Sequence, residues 1–533
     1  MNKFKLIAKK IFLSFVLGFN YEKKIENAYN YLKKNNQLKI IEKIKIEIEK
    51  KEITNKIKFS NSFKNNPDLS NNLIKTLNQI LNLNFIFFSN FSSQLAICLH
   101  KNKVFYFPLP REWLNIVNKN GIKTNFALSK FLFSLSSILY LAKDIIKIIN
   151  LSISKNINLN RNNSTIVYLP DIPNISFQDN YLNPKYNFLF WLKDFLNIKN
   201  KVIFLHDNKK ISDKNFKDIE IKYVKFFLLS NLNLYERIFF IFYVFQVIFY
   251  NLCHIFKGNF YFFYSLKDFY FAHCVKKFFS KTPNFTIFNS GNCLIRPWWT
   301  FLIENKNYKK VYTAFYSSNH FPHYSYEKYY SGVRLMTWNN YIFWTEEQKL
   351  WLDKINNNYK EYSIVGYFPF FGKNVDLEKN KKIASIFPIT PYEIKYLYRE
   401  MYQYHYYSTE NSIKFLKDIM FIFKDLDLEI YIKLKRNNPE ADKRYVDFIK
   451  RLGNEKNITI ISSDVAPISL IDKSDIIIAP PFSSPCLIAE YFNKSAIYYD
   501  PTNKLPLVEP TIKKVKLIKD FDELKYFIKK ILI

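Results

Sequence analysis

The segment Asp475–Pro501, DIIIAPPFSSPCLIAEYFNKSAIYYDP, constrains the fold more than any other stretch of this chain. It reads as strand, tight polar loop, helix and strand. Asp475–Ala479 is a β-branched apolar run of the kind a parallel strand buried on both faces needs. Pro480-Pro481 stops it. Ser484 then stands where a helix N-cap belongs, with Pro485 at the first helical position, where a missing N–H removes no bond. Asn493 occupies the place of a left-handed residue that ends a helix, and Ser495–Tyr499 is the next strand. A helix that opens with two hydroxyls at the carboxyl end of a parallel strand is a ready anion site, and the expected anion is a nucleotide phosphate.

The same loop carries a family resemblance. Pro481-Phe482-Ser483-Ser484, followed by Ala489-Glu490-Tyr491 and Tyr498-Tyr499-Asp500-Pro501, resembles the bacterial polysaccharide-biosynthesis proteins named for a Pro-Phe-Thr-Ser motif. Ser483 replaces the threonine, keeping the hydroxyl and losing a methyl, and Asn493-Lys494-Ser495 replaces a Gly-Lys-Pro turn. The resemblance implies an enzyme, a glycosyltransferase of the two-Rossmann-domain (GT-B) type, and since no DxD element stands out after a strand, metal-independent transfer is expected. Such an enzyme would move a sugar from a UDP- or CMP-linked donor to a bacterial surface polysaccharide or lipid-linked glycan. The nucleotide sugar is then a substrate, and no cofactor is implied.

From residue 164 onward apolar strand-like runs alternate with helical stretches, which implies parallel sheets covered by helices. Expected strands are Thr165–Leu169, Lys201–Leu205, Ile219–Lys225, Asn259–Tyr264, Asn284–Phe288, Val311–Tyr316, Tyr341–Trp344 and Tyr362–Val365. The polar stretch GKNVDLEKNKK at 372–382 marks a boundary. Beyond it the pattern continues with strands Ile383–Phe387, Leu428–Leu434, Ile458–Ser462 and Val515–Ile518, with Asp464 and Asp520 as caps of the helices that follow them. The expected fold is α/β: an N-terminal α+β extension (1–160), a Rossmann-like acceptor-side domain (161–379) and a Rossmann-like nucleotide-sugar-binding domain (380–533). Within the extension, residues 22–80 and 125–150 read as helical. Residues 84–109 read as strand-like, with a hairpin turn at His100-Lys101-Asn102-Lys103. The chain has only eight glycines and neither a GxGxxG nor a P-loop, so dehydrogenase and ATPase readings lose their main support.

The formal net charge of +33 suggests an anionic partner. Nine arginines among 79 basic residues argue against nucleic acid, because base reading and bidentate phosphate contacts lean on arginine. An anionic inner-membrane surface is the expected partner, beside the donor and the glycan acceptor. The first residues, MNKFKLIAKKIFLSFVLGFNYEKK, lack the small-x-small pair of a cleavable signal and read as an amphipathic start helix. Ile238–Phe256 approaches spanning length, but Gln246, Asn251 and His254 interrupt it, so a buried or interfacial helix is expected. The five cysteines share no metal-like spacing. Together these place the protein in the cytoplasm, peripherally on the inner membrane.

Candidate chemistry follows from strand ends. Ser483 and Ser484 would hold donor phosphate, together with Lys433, Lys435 and Arg436 at the end of EIYIKLKR, where strand carboxyl ends face a crevice. In related GT-B enzymes a His-Pro dipeptide stands near this point. Asn437-Asn438-Pro439 replaces it here, which favours cationic stabilisation of the leaving group over a histidine acid. Asp500 would bond a ribose or cap a turn. On the acceptor side, His320 is the expected general base, with Glu327 as alternative, since a histidine after a parallel strand suits proton removal near neutral pH. His323, Gly291 and Asn292 would line the cleft. The pair His320/His323 lacks a third ligand, so no metal is expected. Trp338 and Trp344 read as core, and Glu490 as packing. The competing readings are a non-catalytic membrane-surface scaffold of polysaccharide assembly and a GT-B-type sugar-nucleotide epimerase.

Overall fold

In a computed structural model of the chain the described residues are 20–51, 67–87, 90–152, 164–170, 184–209, 211, 213–224, 233–255, 263–264, 266–280, 285–290, 294–304, 310–315, 331–369, 372–375, 377, 381–391, 393–394, 398, 401, 406–435, 441–481, 483–503 and 515–532. The expected start helix, His320, His323, Glu327, Gly291, Asn292 and Arg436 lie outside them.

The N-terminal region is helical, not α+β. It comprises α1 (Tyr21–Lys34), α2 (Leu38–Lys50), α3 (Pro67–Asn82), a single π-turn (Leu83–Phe87), α4 (Phe91–Lys101), α5 (Arg111–Lys119) and the long α6 (Phe126–Ser152). Of the residues 84–109 expected as strand, 84–87 lie in the π-turn and 91–101 form α4. Phe91 to Cys98 are all buried, and a segment buried all round shows no face-to-face contrast by which periodicity separates helix from strand. His100-Lys101-Asn102-Lys103 is likewise no hairpin: Asn102 takes the left-handed conformation, φ 49°, and closes α4 as a helix C-terminus. The extended pairing described here is one isolated bridge, Phe105 to Thr124.

The first sheet follows: β1 (Thr165–Leu169), α7 (Phe188–Phe195), β2 (Val202–His206), β3 (Lys214–Phe216), β4 (Ile219–Tyr223), α8 (Leu234–Ile255), α9 (Leu266–Ser280), β5 (Phe285–Asn289), α10 (Phe301–Glu304), β6 (Lys310–Ala314), α11 (Ser331–Arg334), β7 (Asn340–Phe343), α12 (Glu346–Ile355) and β8 (Glu361–Ile364). Its order is β3-β4-β2-β1-β5-β6-β7-β8. All pairings are parallel except the edge hairpin β3–β4, which the sequence reading missed. Asn259–Tyr264 is described only at Phe263 and Tyr264, which sit in a 3₁₀ turn.

The second sheet is formed by β9 (Lys382–Ile386), α13 (Thr409–Phe423), β10 (Leu428–Lys433), α14 (Lys443–Leu452), β11 (Ile458–Ile461), α15 (Pro467–Ile471), β12 (Ile476–Ala479), α16 (Ser484–Tyr491), β13 (Ser495–Tyr499), β14 (Lys516–Ile518) and α17 (Phe521–Leu532). Its order is β11-β10-β9-β12-β13-β14, wholly parallel. Asp520 accepts from Glu523 N–H at 2.9 Å and opens α17 as expected. Asp464 does not cap α15, whose N-cap is Ala466. It pairs instead with Lys373 at 3.0 Å. The result is the expected α/β architecture with two Rossmann-like sheets, preceded by a helical region.

The two sheets share an apolar cluster. Phe288, Ala314 and Trp344 of the first join Phe368 of the connecting segment and Ile468, Leu487 and Ile488 on α15 and α16. Trp344 is fully buried, its indole N–H donating to Phe315 O at 2.8 Å, and Trp338 is also core. A buried aromatic of this size contributes about 1.5–3 kcal/mol. The connection leaves the carboxyl end of β8 at Gly366 and lies along α15 and α16. Lys373 N–H donates to Asp464 O, and Ala466 N–H donates to Lys373 O, both at 2.7 Å.

Candidate functional site

Strand order places the candidate site. In the second sheet β9 is central: the chain runs from it to β10 and β11 on one side, then to β12, β13 and β14 on the other. The crevice outside the carboxyl ends of β9 and β12 is therefore the switch point at which ligands of open parallel sheets bind. The loop Pro480–Ser484 forms its β12 wall. β12 is buried on both faces, and Phe387 N–H, just past β9, donates to Ile478 O at 3.0 Å.

The loop is locked by its own polar groups. Ser483 Oγ–H donates to Pro480 O at 2.9 Å, and Tyr498 Oη–H donates to Ser483 O at 2.8 Å. Cys486 Sγ–H donates to Ile497 O at 3.3 Å, fastening the first turn of α16 to β13. Helix start and cap differ by one residue from the sequence reading. Ser483 is the N-cap with extended backbone (φ −82°, ψ 141°), and Ser484 is the first helical residue. The Ser483 hydroxyl turns back to Pro480 and makes no capping bond to the helix. Ser483 and Ser484 are both buried, so the helix N-terminus meets the crevice mainly through backbone N–H groups. Asn493 has φ 54°, as its position required.

Lys433 closes β10 on the opposite side of β9. Two strand spacings, roughly 10 Å, separate the ends of β10 and β12, a span that a nucleoside diphosphate can bridge. Lys433 is only 5% exposed. Burial pushes its ammonium down to about 8, with Asp464 opposing the shift, and Nζ–H donates to Leu434 O at 3.2 Å. Lys435 follows at the strand end. A cavity of about 750 Å³ opens beside these strand ends, lined by Thr390 after β9, Leu434 after β10, Ser462 and Ser463 after β11, and Tyr445 of α14. The Tyr445 Oη is buried with no hydrogen-bond partner among the described residues. Ser483, Ser484 and Asp500 do not line this cavity. Asp500 is fully buried and its carboxylate accepts from Thr502 N–H at 2.9 Å and Thr502 Oγ–H at 2.7 Å, the turn-capping alternative.

The first sheet has its own switch point, between β1 and β5. A cavity of about 310 Å³ lies there, lined at the strand ends by Tyr168, Pro170 and Asn289 and by Asp144 and Lys147 of α6 and Lys267 and Asp268 of α9. Burial drives the Asp268 carboxyl up to about 7; Lys267 and the Trp298 N–H oppose the rise and Asp144 adds to it. Burial also raises Asp144, against Lys267, Lys143 and Lys147. Its Oδ2 is buried with no hydrogen-bond partner among the described residues. Lys147 is lowered, chiefly by Lys267 and then by burial. The sequence reading missed these two carboxylates. A signal existed: Phe133, Ser137, Leu141, Asp144, Ile148 and Leu151 form the buried stripe of α6 at three- and four-residue spacing, so its single acid falls on the inward face.

Arg296, just before the 3₁₀ turn Trp298–Thr300, is a brace. Its guanidinium pairs with Glu304 at 2.6 Å and donates to Thr337 O at 2.9 Å, while its backbone N–H donates to Gln79 of α3 at 3.2 Å. Among the described residues no group of three His, Cys, Asp or Glu side chains is placed to hold a metal ion.

Residues 265–528 match the family described as polysaccharide biosynthesis PFTS motif protein. That region of the chain belongs to the family. The matched region contains the whole second sheet and β5–β8, half of the first. No curated protein compared with the sequence matches it. Among solved structures, the chain is similar to a trehalose-6-phosphate synthase from Burkholderia multivorans at TM-score 0.40 and 10% identity, covering 69% of this chain and 91% of that one. It is also similar to a glycosyltransferase from Rickettsia africae at TM-score 0.36 and 13% identity, covering 70% and 88%. At these levels no residue role is carried over from either protein.

Proposed function

We propose that this protein is a glycosyltransferase of GT-B type, with residues 380–533 holding a UDP- or CMP-linked sugar and residues 161–379 holding a glycan acceptor destined for the bacterial surface. The single observation that supports this reading is the motif loop at the carboxyl end of β12, beside the β9/β12 switch point, with Lys433 and Lys435 at the end of β10 on the other side of β9. Backbone N–H groups at the start of α16 and the two lysines would bind the donor phosphates, with Arg436 beside them, and the cavity beside Tyr445 would take the nucleoside. The helix N-terminus adds a few tenths to about 2 kcal/mol.

In the transfer, the acceptor hydroxyl loses its proton to a base as its oxygen bonds to the sugar C1. The bond from C1 to the donor phosphate breaks, and the nucleotide leaves with the electron pair, stabilised by the lysine ammonium groups and the helix N–H groups. The pocket at the β1/β5 switch point would position the acceptor. Asp268 suits the base, because a carboxyl raised toward neutrality both holds and releases a proton there. His320 and Glu327 are the bases the sequence alone suggested, with His323, Gly291 and Asn292 near the acceptor. Peripheral attachment to an anionic inner leaflet through the net charge completes the reading. A thermal-shift panel of UDP, CMP, GDP and their sugar derivatives tests it: stabilisation by one nucleotide family is expected, and no shift with any of them would favour a scaffold. Turnover of the nucleotide sugar without an acceptor would favour an epimerase.

A further inference from the structure

The long helix α6 is apolar on two faces. Its inward stripe packs on the first sheet, yet Phe131, Leu135, Ile138, Leu139 and Ile146 point outward, with Phe131 and Leu139 each 63% exposed. The adjoining α8 does the same through Ile238, Phe239, Phe242, Phe245 and Phe249, the last 71% exposed. The two helices touch, and together they carry more than half of the exposed large apolar side chains described. A surface helix ordinarily turns charged residues outward, and contiguous apolar patches beyond a few hundred Å² mark interaction sites. No helix among the described residues is long and apolar enough to cross a membrane.

We propose that the joined outer faces of α6 and α8 form a membrane-docking surface that lies in the headgroup and upper acyl region of an anionic leaflet. Charge complementarity selects this occupant. The exposed ionisable side chains of α6 are all lysines, Lys130, Lys143 and Lys147, whereas its one acid, Asp144, is buried. Phenylalanines and leucines flanked by lysines suit a helix lying in the membrane interface, and each lysine near an anionic surface adds to the attraction. The acceptor pocket opens on the other face of the same helix, through the buried Asp144, with Lys147 at the border between the two faces. A lipid-linked acceptor could therefore keep its lipid in the leaflet while its polar end reaches the pocket. This surface deepens the membrane part of the proposed function, replacing attachment by charge alone with apolar insertion.

Flotation of the full chain with vesicles of phosphatidylcholine containing 30% phosphatidylglycerol tests it, compared with Phe131→Ser/Leu139→Ser/Phe242→Ser/Phe249→Ser. The wild-type chain is expected to float and to stay partly bound in 1 M salt. The variant should partition at least 100-fold less, with an unchanged melting temperature and unchanged nucleotide binding. Equal binding by the variant, or complete release of the wild type by salt, would overturn apolar docking while leaving attraction by charge. A concentration-dependent dimer abolished by the same substitutions, without vesicle binding, would overturn it in favour of a second copy of the chain.

Discussion

Lys185 and Asp472 form an ion pair of 2.6 Å that ties the segment before α7, on the first sheet, to the end of α15 on the second. Tyr186 Oη–H donates to the other carboxylate oxygen at 2.6 Å, and Tyr367 Oη–H donates to Lys185 O at 2.8 Å. Burial alone would raise Asp472. The bonds from Lys185 and Tyr186 outweigh it and hold the carboxyl below its ordinary range. Stability from this group is therefore present above its unfolded value of about 4 and is lost as pH falls through the lower folded value. Lys185→Ala is expected to cost about 1–2 kcal/mol at pH 7, with the difference from wild type shrinking below about pH 4. Denaturant melts across pH measure both.

Gly366 and Gly372 set how closely the connection lies on the second sheet. Gly366 has φ 73°, and a Cβ there would meet the Tyr491 ring at 2.0 Å; at Gly372 it would meet Ala466 N at 2.6 Å. Gly366→Ala is expected to destabilise by about 1–2 kcal/mol from the left-handed backbone alone, with a further loss as the Tyr491 ring shifts. Gly372→Ala faces backbone, which yields less than a side chain. Thermal unfolding of both variants checks this, and a melting temperature within 1 °C of wild type would contradict the packing described.

With Lys433 in the proposed donor site, nucleotide binding should carry a pH signature. The folded value of Lys433, near 8, lies below the ordinary lysine value, so between about 8 and 10.5 the unfolded chain binds more protons and the free protein gains stability as pH rises. Donor affinity is expected to move the other way, falling as the ammonium deprotonates through about pH 8. Lys433→Met should remove that dependence, weaken binding by about tenfold or more, and make the free protein more stable at pH 7. Titration calorimetry at several pH values reads the first two, and denaturant unfolding of the free proteins reads the third.

Much of the architecture was legible because buried parallel strands announce themselves. Ile476–Ala479, Leu428–Lys433 and Thr165–Leu169 are short β-branched or aromatic runs between turn residues, and their positions follow from that pattern alone. Phe91–Cys98 was not legible, since burial on every side removes the contrast that separates period 3.6 from period 2. Ser483 and Ser484 were legible as the start of a helix. The bond from Ser483 to Pro480 O was not, because it depends on how the loop folds back. Asp144 and Asp268 were missed for a different reason. They come together only when α6 and α9 pack over the ends of β1 and β5, and they lie more than a hundred residues apart in sequence.

The carboxylates beside that pocket predict a pH–rate profile. With Asp268 raised by burial to about 7, turnover should rise as pH increases through 7 and the base ionises. Protein stability should decline over roughly pH 4 to 7, because the folded chain then holds a proton that the unfolded chain has lost. Asp268→Asn is expected to lower turnover by roughly 10²–10⁴ with donor affinity unchanged, and to remove both dependences. His320→Ala is the comparison: if it removes the acidic limb while Asp268→Asn does not, the base is His320.

The most direct test of the account is calorimetric titration of the preferred nucleotide into wild type and Lys433→Met/Lys435→Ala. Each charge-assisted contact to phosphate is worth about 1.5–3 kcal/mol. The double variant should therefore bind more than tenfold more weakly, with its circular dichroism preserved and its melting temperature no lower than that of wild type. Affinity equal to wild type in a folded variant would contradict a donor site at the β9/β12 switch point.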